Sequence, residues 1–182
     1  MDRMALLLAL QAYYTSFEEE KAFIPRFKSL LSNFENCYER TLLSGHMTGS
    51  AWIVDRNGSE ALLVHHKKLN RWLQPGGHAD GEENILNVAR KEAEEETGLK
   101  SLKLHSPEIF DIDIHVIPAR KKEVAHFHYD IRFMFVADSQ EDFAISEESN
   151  KVSWIPRSNI QNYVGNNDSI HRMVRKTIAI FK

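Results

Sequence analysis

The chain has 182 residues, of which 42% are hydrophobic and 27% charged, and its formal net charge is −3. This composition is typical of a globular domain with a sizeable core. The sequence has no polybasic run and no apolar stretch long enough to span a bilayer, so we expect neither nucleic-acid nor membrane binding. Its one cysteine, Cys37, cannot form a disulfide within the chain, which fits a reducing cytoplasm.

Residues 1–44 predict a small N-terminal helical extension ahead of the main domain, which we place at residues 45–182. The apolar run near the start is too short for a signal peptide and its leucines have helical spacing, so we expect a structural helix at residues 2–14. A capping box at residues 16–19 predicts a second helix, which Pro25 should break or restart. The extension either packs on the domain as a cap or serves as a lid or dimer arm.

Two predicted strands, at residues 48–54 and 61–66, are joined by a turn with an Asn-Gly hairpin signal. The basic loop after them is either solvated or a contact for the phosphate and base of a ligand. Lysine and arginine attract phosphate, and an aromatic ring can stack on a base. We therefore take Arg71 and Trp72 as candidate substrate-binding residues, with a core position as the alternative for Trp72. His78, just after the Gly-Gly turn, is a further candidate.

The stretch at residues 74–99 contains six glutamates between a Gly-Gly turn and a Thr-Gly stop. Residues 83–96 predict a helix, on which Glu92, Glu95 and Glu96 lie on one face within one turn. Like charges at this spacing repel one another. The helix therefore either leaves them in water or uses them to hold a cation.

The apolar residues of this predicted helix, Ile85, Val88 and Ala89, lie on the same stripe as the three clustered glutamates. A purely solvated acidic helix would place its acids opposite the apolar stripe. Here the carboxylates continue the stripe that should pack on the domain, which predicts a partly enclosed metal site. Mg²⁺ takes oxygen ligands and shares the phosphate oxygens of a substrate.

The same stretch resembles the Nudix hydrolase signature: G, five residues, E, seven residues, then R-E-U-x-E-E-x-G-U, where U is a bulky aliphatic residue. The matching positions are Gly77, Glu83, Glu92, Glu95, Glu96, Gly98 and Leu99. Two positions depart from it. Lys91 stands where the family has arginine, and Ala93 is smaller than the usual aliphatic residue. Lysine keeps the positive charge but lacks the planar fork that can bind a carboxylate through two hydrogen bonds.

Residues 126–136 predict the most informative strand after the signature. One face of it carries His126, His128, Asp130 and Arg132, and the other face is aromatic and should be core. Histidine can ligate metals, but hard oxygen ligands suit this chemistry better. We expect the polar face at the substrate pocket, where it contacts phosphate oxygens or orients the helix carboxylates. The alternative is a solvated face on which Asp130 and Arg132 form an ion pair.

The other segments complete an α/β pattern. Short strands are predicted at residues 99–104, 109–117 and 152–155, a charged loop at 119–123, an acidic loop at 138–150, and a C-terminal helix after Asn167 or Asp168. Strands that flank a helix, followed by more strands and a closing helix, predict an α/β/α sandwich with a mixed β-sheet.

The resemblance implies the Nudix-type α/β/α sandwich and metal-dependent hydrolysis of a pyrophosphate bond in a nucleoside diphosphate linked to another moiety. It implies that Glu92 and Glu96 are direct ligands of Mg²⁺ or Mn²⁺. Glu95 would be a further ligand or act through a coordinated water. The carbonyl group of Gly76 matches the backbone ligand of the family.

The resemblance also assigns Glu83 and Lys91 to the catalytic set, as groups that orient the helix. The general base varies across the family, so a signature glutamate, Glu147 and Glu148 all stay open. The implied partner is a nucleotide-type small molecule. ADP-ribose-like sugars, dinucleoside polyphosphates, NADH and nucleoside triphosphates all satisfy the chemistry. The resemblance also implies a homodimer as the assembly to test.

Two alternative functions share this fold. A ligand-sensing Nudix domain binds without cleaving and could lose signature acids, whereas Glu92, Glu95 and Glu96 are all present. A diphosphate isomerase of this fold uses a catalytic cysteine. Cys37 lies in the predicted helical extension, outside the strands predicted to form the pocket, which disfavours the isomerase.

Overall fold

The computed structural model describes residues 1–119 and 124–181, so the predicted charged loop at residues 119–123 lies outside the described residues except for its first position. The chain groups into two compact units. Unit 1 comprises Met1–Ser50, Gly76–Ala89 and Glu108–Phe133, and unit 2 comprises Ala51–Pro75, Arg90–Pro107 and Met134–Lys182. The predicted boundary between residues 44 and 45 stays a prediction.

Five α-helices and eight β-strands form within the described residues. The helices are α1 Arg3–Ala12, α2 Glu18–Asn33, α3 Ile85–Thr97, α4 Gln161–Val164 and α5 Asp168–Ile180. The strands are β1 Gly45–Val54, β2 Glu60–His66, β3 Arg71–Leu73, β4 Gly76–His78, β5 Lys103–Leu104, β6 Asp111–Ile117, β7 His126–Val136 and β8 Ser149–Pro156. Neither β3 nor β4 has a counterpart among the predicted strands, because three residues are too few for an alternating pattern to show.

The two N-terminal helices form because their apolar residues share one side and are buried. Leu6 and Leu10 of α1 have no exposed surface, and neither does Phe27 of α2. The side chain of Asp2 caps α1 by accepting a hydrogen bond from the backbone N–H of Ala5 at 2.9 Å. The expectation of a structural helix at the start of the chain is therefore confirmed.

Two details of α2 differ from the prediction. The capping box at residues 16–19 does not form, and the Thr15 hydroxyl instead accepts the N–H of Phe17 at 3.1 Å. Pro25 lies inside α2 and neither breaks nor restarts it. Proline removes one backbone hydrogen bond from a helix. Burial of Phe27 in the following turn offsets that loss, and its ring packs edge-on against Tyr129 of β7.

A buried carboxylate joins the helical extension to the sheet of unit 1. Glu20 of α2 is fully buried. It accepts hydrogen bonds from the Tyr13 hydroxyl at 2.7 Å, from the Thr15 hydroxyl, and from the backbone N–H of Ile112 in β6 at 3.1 Å. A buried charge is tolerated when its oxygens are hydrogen-bonded in this way. These contacts fix α2 against β6.

In unit 1, antiparallel pairing aligns polar residues from separate strands on one face. β1 pairs with β4, so that Thr48 lies opposite His78, and β6 pairs with β7, so that Asp113 lies opposite Asp130. The hydroxyl groups of Thr48 and Ser50 both donate to Asp130, at 3.0 and 2.8 Å. These hydrogen bonds place the polar residues of β1 and β7 on the same side.

In unit 2, β2 is the central strand and pairs antiparallel with β1, β3 and β8. The indole N–H of Trp52 in β1 donates to the Thr177 hydroxyl of α5 at 2.8 Å, and both side chains are fully buried. The Asn167 side chain caps α5 by accepting the N–H of Ile170. The predicted choice between Asn167 and Asp168 as cap is thus settled in favour of Asn167.

β1 and β7 are neighbouring strands that run in the same direction. Two backbone hydrogen bonds at their ends show this, because the donor and the acceptor are separated by the same number of residues in both. Phe127 N–H donates to Ser44 in unit 1, and Ala137 N–H donates to Val54 in unit 2, with the same sequence separation. Because the other strand pairs are antiparallel, the sheet is mixed, and the predicted α/β class with N-terminal helices is confirmed. None of the helices in the described residues is both long and apolar enough to cross a membrane.

Candidate active site

Helix α3 begins and ends where local groups satisfy its backbone. Asn84 precedes it, and its side-chain oxygen accepts the N–H of Asn87 at 3.4 Å, as an N-cap does. Gly98 follows the helix with φ +71°, and its N–H donates to the backbone carbonyl oxygen of Glu94 at 2.8 Å. This left-handed helix termination favours glycine. Glu83 therefore lies before the helix and not inside its first turn.

Two of the three clustered glutamates lie on the packed side of α3. Glu92 and Glu96 are four residues apart and partly buried, on the stripe that starts with the buried Ile85. The Glu95 side chain is 59% exposed and lies 3.6 Å from the Lys91 ammonium group. The expectation that all three continue the buried stripe is wrong for Glu95, whose ligand role stays a prediction. We call Glu92 and Glu96 the acidic face.

The acidic face has the donor chemistry that a hard divalent cation requires. Carboxylate oxygens are the ligands that Mg²⁺ and Mn²⁺ prefer. Two like charges one helical turn apart repel each other, and partial burial strengthens that repulsion by lowering the local dielectric. Glu92 and Glu96 place carboxylate oxygens one helical turn apart in partly buried positions, so the residues present fit the metal that the signature implies.

The glycine-rich segment before α3 is packed too tightly for side chains. A Cβ atom on Gly76 would lie 2.1 Å from the Ser50 hydroxyl oxygen on β1. A Cβ atom on Gly49 would lie 2.8 Å from the carbonyl oxygen of Ile85, where β1 meets the start of α3. Both positions therefore require glycine. The role of the Gly76 carbonyl group as a metal ligand stays a prediction.

The two residues predicted to orient α3, Glu83 before the helix and Lys91 on it, have exposed side chains. The Glu83 carboxylate is half-exposed and lies 3.3 Å from the guanidinium group of Arg3, which ties α1 to the loop that enters α3. The Lys91 side chain is 70% exposed. Exposed ion pairs of this kind contribute at most about 1 kcal/mol to the free energy of unfolding.

The predicted substrate contacts in unit 2 lie on β3. Arg71 is exposed and Trp72 is half-buried. The Trp72 ring makes edge contacts with His65, at 5.2 Å between ring centroids, and with Tyr163, at 5.5 Å. Tyr163 of α4 is 44% exposed. Sequence reasoning missed Tyr163, because nothing in its local pattern connects α4 with β3.

The polar face of β7 divides into two parts, and the first is a buried ion cluster. The Arg132 guanidinium group contacts Asp130 at 2.7 Å, Asp111 at 3.1 Å and Asp113 at 3.3 Å. Arg132 is only 2% exposed. Burial alone would lower its pKa, but Asp113, Asp130 and Asp111 raise the pKa above its ordinary value.

This burial corrects two expectations for the strand face. Arg132 is enclosed by carboxylates, so its guanidinium group is not accessible to a substrate and it acts as a positioning residue for β6 and β7. The alternative, a solvated face, is wrong for this part of the strand because Asp130 is 1% exposed. The expected pairing of Asp130 with Arg132 is present.

The second part of the face carries histidines. The Nε2 atoms of His78 on β4 and His128 on β7 are 3.1 Å apart. His46 of β1 lies beside both, with ring centroids 5.2 Å from His78 and 5.1 Å from His128. His126 is half-buried, and its Nδ1 lies 2.9 Å from the carbonyl oxygen of Val124. Sequence reasoning missed His46, although it alternates with Thr48 on one side of β1.

The candidates for nucleophile and base differ in accessibility. Glu147 and Glu148 are exposed in the segment before β8. Cys37 is fully buried, and burial raises the pKa of its thiol. A buried thiol with a raised pKa is a poor nucleophile. The exposed glutamates are therefore accessible as a general base for hydrolysis, whereas the buried Cys37 does not suit the catalytic cysteine of an isomerase.

Comparisons with known proteins agree with the geometry of α3. A family model described as NUDIX domain matches residues 46–174. The bis(5'-nucleosyl)-tetraphosphatase [asymmetrical] of Rattus norvegicus is 30% identical over 103 residues, which cover 56% of this chain and 67% of that protein. The protein of the same name from Mus musculus is 27% identical over 104 residues, with the same coverage.

Solved structures show the same fold at low sequence identity. An Ap4A hydrolase from C. elegans, solved as a binary complex, superposes with a TM-score of 0.58 at 19% identity, covering 74% of this chain and 96% of that one. A NUDIX family hydrolase from Clostridium perfringens superposes with a TM-score of 0.59 at 22% identity, covering 74% and 97%. At these identities the likeness supports the fold alone.

Proposed function

Because this chain belongs to the Nudix hydrolase family, we propose that it cleaves a pyrophosphate bond in a nucleoside-diphosphate-linked small molecule with the help of Mg²⁺ or Mn²⁺. The observation that carries the proposal is the acidic face of α3. Glu92 and Glu96 are one turn apart and partly buried, and they have the oxygen donors that such a cation prefers.

Each residue of the signature takes a role in this proposal. Glu92 and Glu96 would hold the cation, and the signature also implies the Gly76 carbonyl group as a ligand. Glu95 lies at the exposed edge of the same helix turn, where it is either a further ligand or a base. Glu83 and Lys91 keep α3 in position. When bound, the cation supplies a nucleophilic water near neutral pH and neutralises phosphate charge.

The reaction is the hydrolysis of a phosphoanhydride. The water oxygen forms a bond to one phosphorus in line with the bridging oxygen, and the bond between that phosphorus and the bridging oxygen breaks. The second phosphate leaves with the bridging oxygen, and a carboxylate takes the proton of the water. Glu95, Glu147 and Glu148 are the candidate bases, and all three are exposed.

Within the substrate class we propose dinucleoside polyphosphates as the first compounds to test. The named activity of the rodent relatives points to them. The exposed Arg71 and the half-buried Trp72 offer a cation and an aromatic surface on β3, and Tyr163 extends that surface. A guanidinium group suits phosphate, and the aromatic rings suit a base. His78, His126 and His128 stay proposed as substrate contacts in unit 1.

The test is a hydrolysis screen with Mg²⁺ or Mn²⁺. Diadenosine polyphosphates, ADP-ribose, NADH and nucleoside triphosphates are incubated with the protein, and the products are separated by anion-exchange chromatography. We expect at least one compound to yield two phosphorylated products, and isotopic oxygen from water to enter one of them.

Two outcomes would contradict the proposal. Tight binding without turnover across the whole screen would favour a ligand-sensing domain. Loss of activity in Cys37→Ala with an unchanged fold would favour isomerase chemistry. We also propose a cytoplasmic location, which fits the free thiol of Cys37, and a homodimer, which light scattering tests directly.

A further inference from the structure

Three histidines from distant parts of the sequence meet on the polar face of unit 1. His46 comes from β1, His78 from β4 and His128 from β7. The antiparallel register places Thr48 opposite His78, so His46, two residues before Thr48, is a diagonal neighbour of His78 on the same face. We call these three residues the histidine cluster. The pairing of strands therefore creates the cluster, and no local motif encodes it.

The distances within the histidine cluster suit a shared ligand. One ring nitrogen from each histidine lies within 4.8 Å of the other two. The Nε2 atoms of His78 and His128 are closer still, at 3.1 Å. Tetrahedral zinc with bonds of about 2.0–2.1 Å to nitrogen requires its ligand nitrogens to be about 3.3 Å apart. Small side-chain rotations would reach that spacing.

The two ring nitrogens of His46 have different surroundings. His46 is 3% exposed, and its Nδ1 faces the Leu42 carbonyl oxygen at 3.5 Å. Its Nε2 is buried and has no hydrogen-bond partner among the described residues. Histidines that ligate metals commonly donate one ring N–H to a carbonyl group and keep the other nitrogen for the metal. An unsatisfied buried nitrogen is costly, and a bound ion would satisfy it.

Neutral imidazole is the form of histidine that binds metals. Burial lowers the pKa of His78 to about 4 and the pKa of His128 to about 2, and it lowers the pKa of His46 as well.

We propose that His46, His78 and His128 form a binding site for a divalent transition metal, with Zn²⁺ as the first candidate. Imidazole nitrogen suits zinc, copper and nickel, whereas Mg²⁺ takes oxygen ligands. The site is therefore chemically different from the acidic face of α3, and the inference goes beyond the proposed hydrolase function without depending on it.

Three protein ligands leave a coordination position open. Sites of three histidines and an open position are typical of zinc centres that bind water or a substrate group, whereas structural zinc sites have four protein ligands. His126 is the nearest further imidazole, with its ring centroid 5.0 Å from that of His46. The metal would bind β1, β4 and β7 together, so its binding should raise the temperature of unfolding.

For the test, the protein is first freed of metal by chelation. Saturating Mg²⁺ is then added, so that carboxylate sites are occupied. Zn²⁺ is titrated in by calorimetry, and Co²⁺ is used as a spectroscopic probe of tetrahedral geometry. We expect one Zn²⁺ per chain for the unaltered protein, and visible Co²⁺ bands that Zn²⁺ displaces. His78→Gln and His128→Gln should each weaken Zn²⁺ binding at least about tenfold, because each removes one imidazole ligand.

The matched control is His105→Gln, which changes an exposed histidine of unit 2 and should leave zinc binding unchanged.

Nitrogen NMR of the unaltered protein gives a second measurement that needs no variant. Addition of Zn²⁺ should shift the ring nitrogens of the histidine cluster, and those of His105 and His171 should stay in place. Equal zinc affinity in the unaltered protein and both cluster variants would overturn the proposal, as would the absence of zinc binding.

Discussion

The acidic face of α3 and the histidine cluster of unit 1 are two candidate cation sites of opposite chemistry. The acidic face offers the carboxylate oxygens of Glu92 and Glu96, which are the donor type that a hard cation prefers. The histidine cluster offers imidazole nitrogens, and burial lowers the pKa of His78 and of His128. The two candidate sites therefore differ in donor chemistry, and the proposals assign them to different classes of divalent metal.

Complete removal of metal should produce the largest difference between the two regions. After chelation, we expect hydrolysis to fall below detection. No cation then activates the attacking water or neutralises the negative charge of the phosphates. Mg²⁺ alone should restore turnover, and it should leave the histidine cluster unfilled. The measurement combines product formation with metal analysis by mass spectrometry. Full recovery of turnover with Zn²⁺ and none with Mg²⁺ would reverse the roles that we assign to the two regions.

The second test concerns the framework of the histidine cluster. Arg132→Met leaves Asp111, Asp113 and Asp130 buried without their cation, and we expect the free energy of unfolding to fall by about 3–5 kcal/mol. Urea denaturation measures this change. Arg56→Met is the control, because Arg56 forms an exposed ion pair with Asp138 and should cost at most about 1 kcal/mol. Equal costs for the two variants would show that the buried cluster is not what holds β6 to β7.

Lys91→Arg should produce the smallest effect, and it tests the acidic face. It restores the signature residue at a position where the side chain is 70% exposed and 3.6 Å from Glu95. Because the pair is solvated, we expect the free energy of unfolding to change by less than about 0.5 kcal/mol and kcat by less than about twofold. Steady-state kinetics with the best substrate measures the latter. An increase in kcat of tenfold or more would mean that residue 91 directly orients the catalytic carboxylates.

The two regions were not equally predictable from the sequence. The acidic face lies on one helix, so fixed spacing between neighbouring residues was enough to identify it. The histidine cluster joins residues 46, 78 and 128, and β4, which carries His78, is too short to be recognised from its pattern. Contacts between distant segments depend on strand pairing, which hydrophobic periodicity does not specify.

Burial was also difficult to predict for single side chains. Helical spacing places Glu95 beside Glu92 and Glu96, yet a difference of one position around the helix leaves it in solvent. The expectation that the aromatic face of β7 is core is wrong at Phe127, which is 36% exposed, and the pattern could not divide the polar face into a buried ion cluster and a histidine cluster. The three aspartates that enclose Arg132 come from two strands, and only their pairing brings them together.

The most direct test of the proposed hydrolysis compares Glu96→Gln with Glu94→Gln. Both variants remove one negative charge from the same helix turn, but Glu96 is partly buried on the acidic face and Glu94 is exposed. Turnover of diadenosine polyphosphate, or of the best compound in the screen, is measured with saturating Mg²⁺ beside the unfolding temperature. We predict that Glu96→Gln lowers kcat by more than about 100-fold without destabilising the fold, whereas Glu94→Gln keeps full activity. Undiminished turnover in Glu96→Gln would contradict the mechanism.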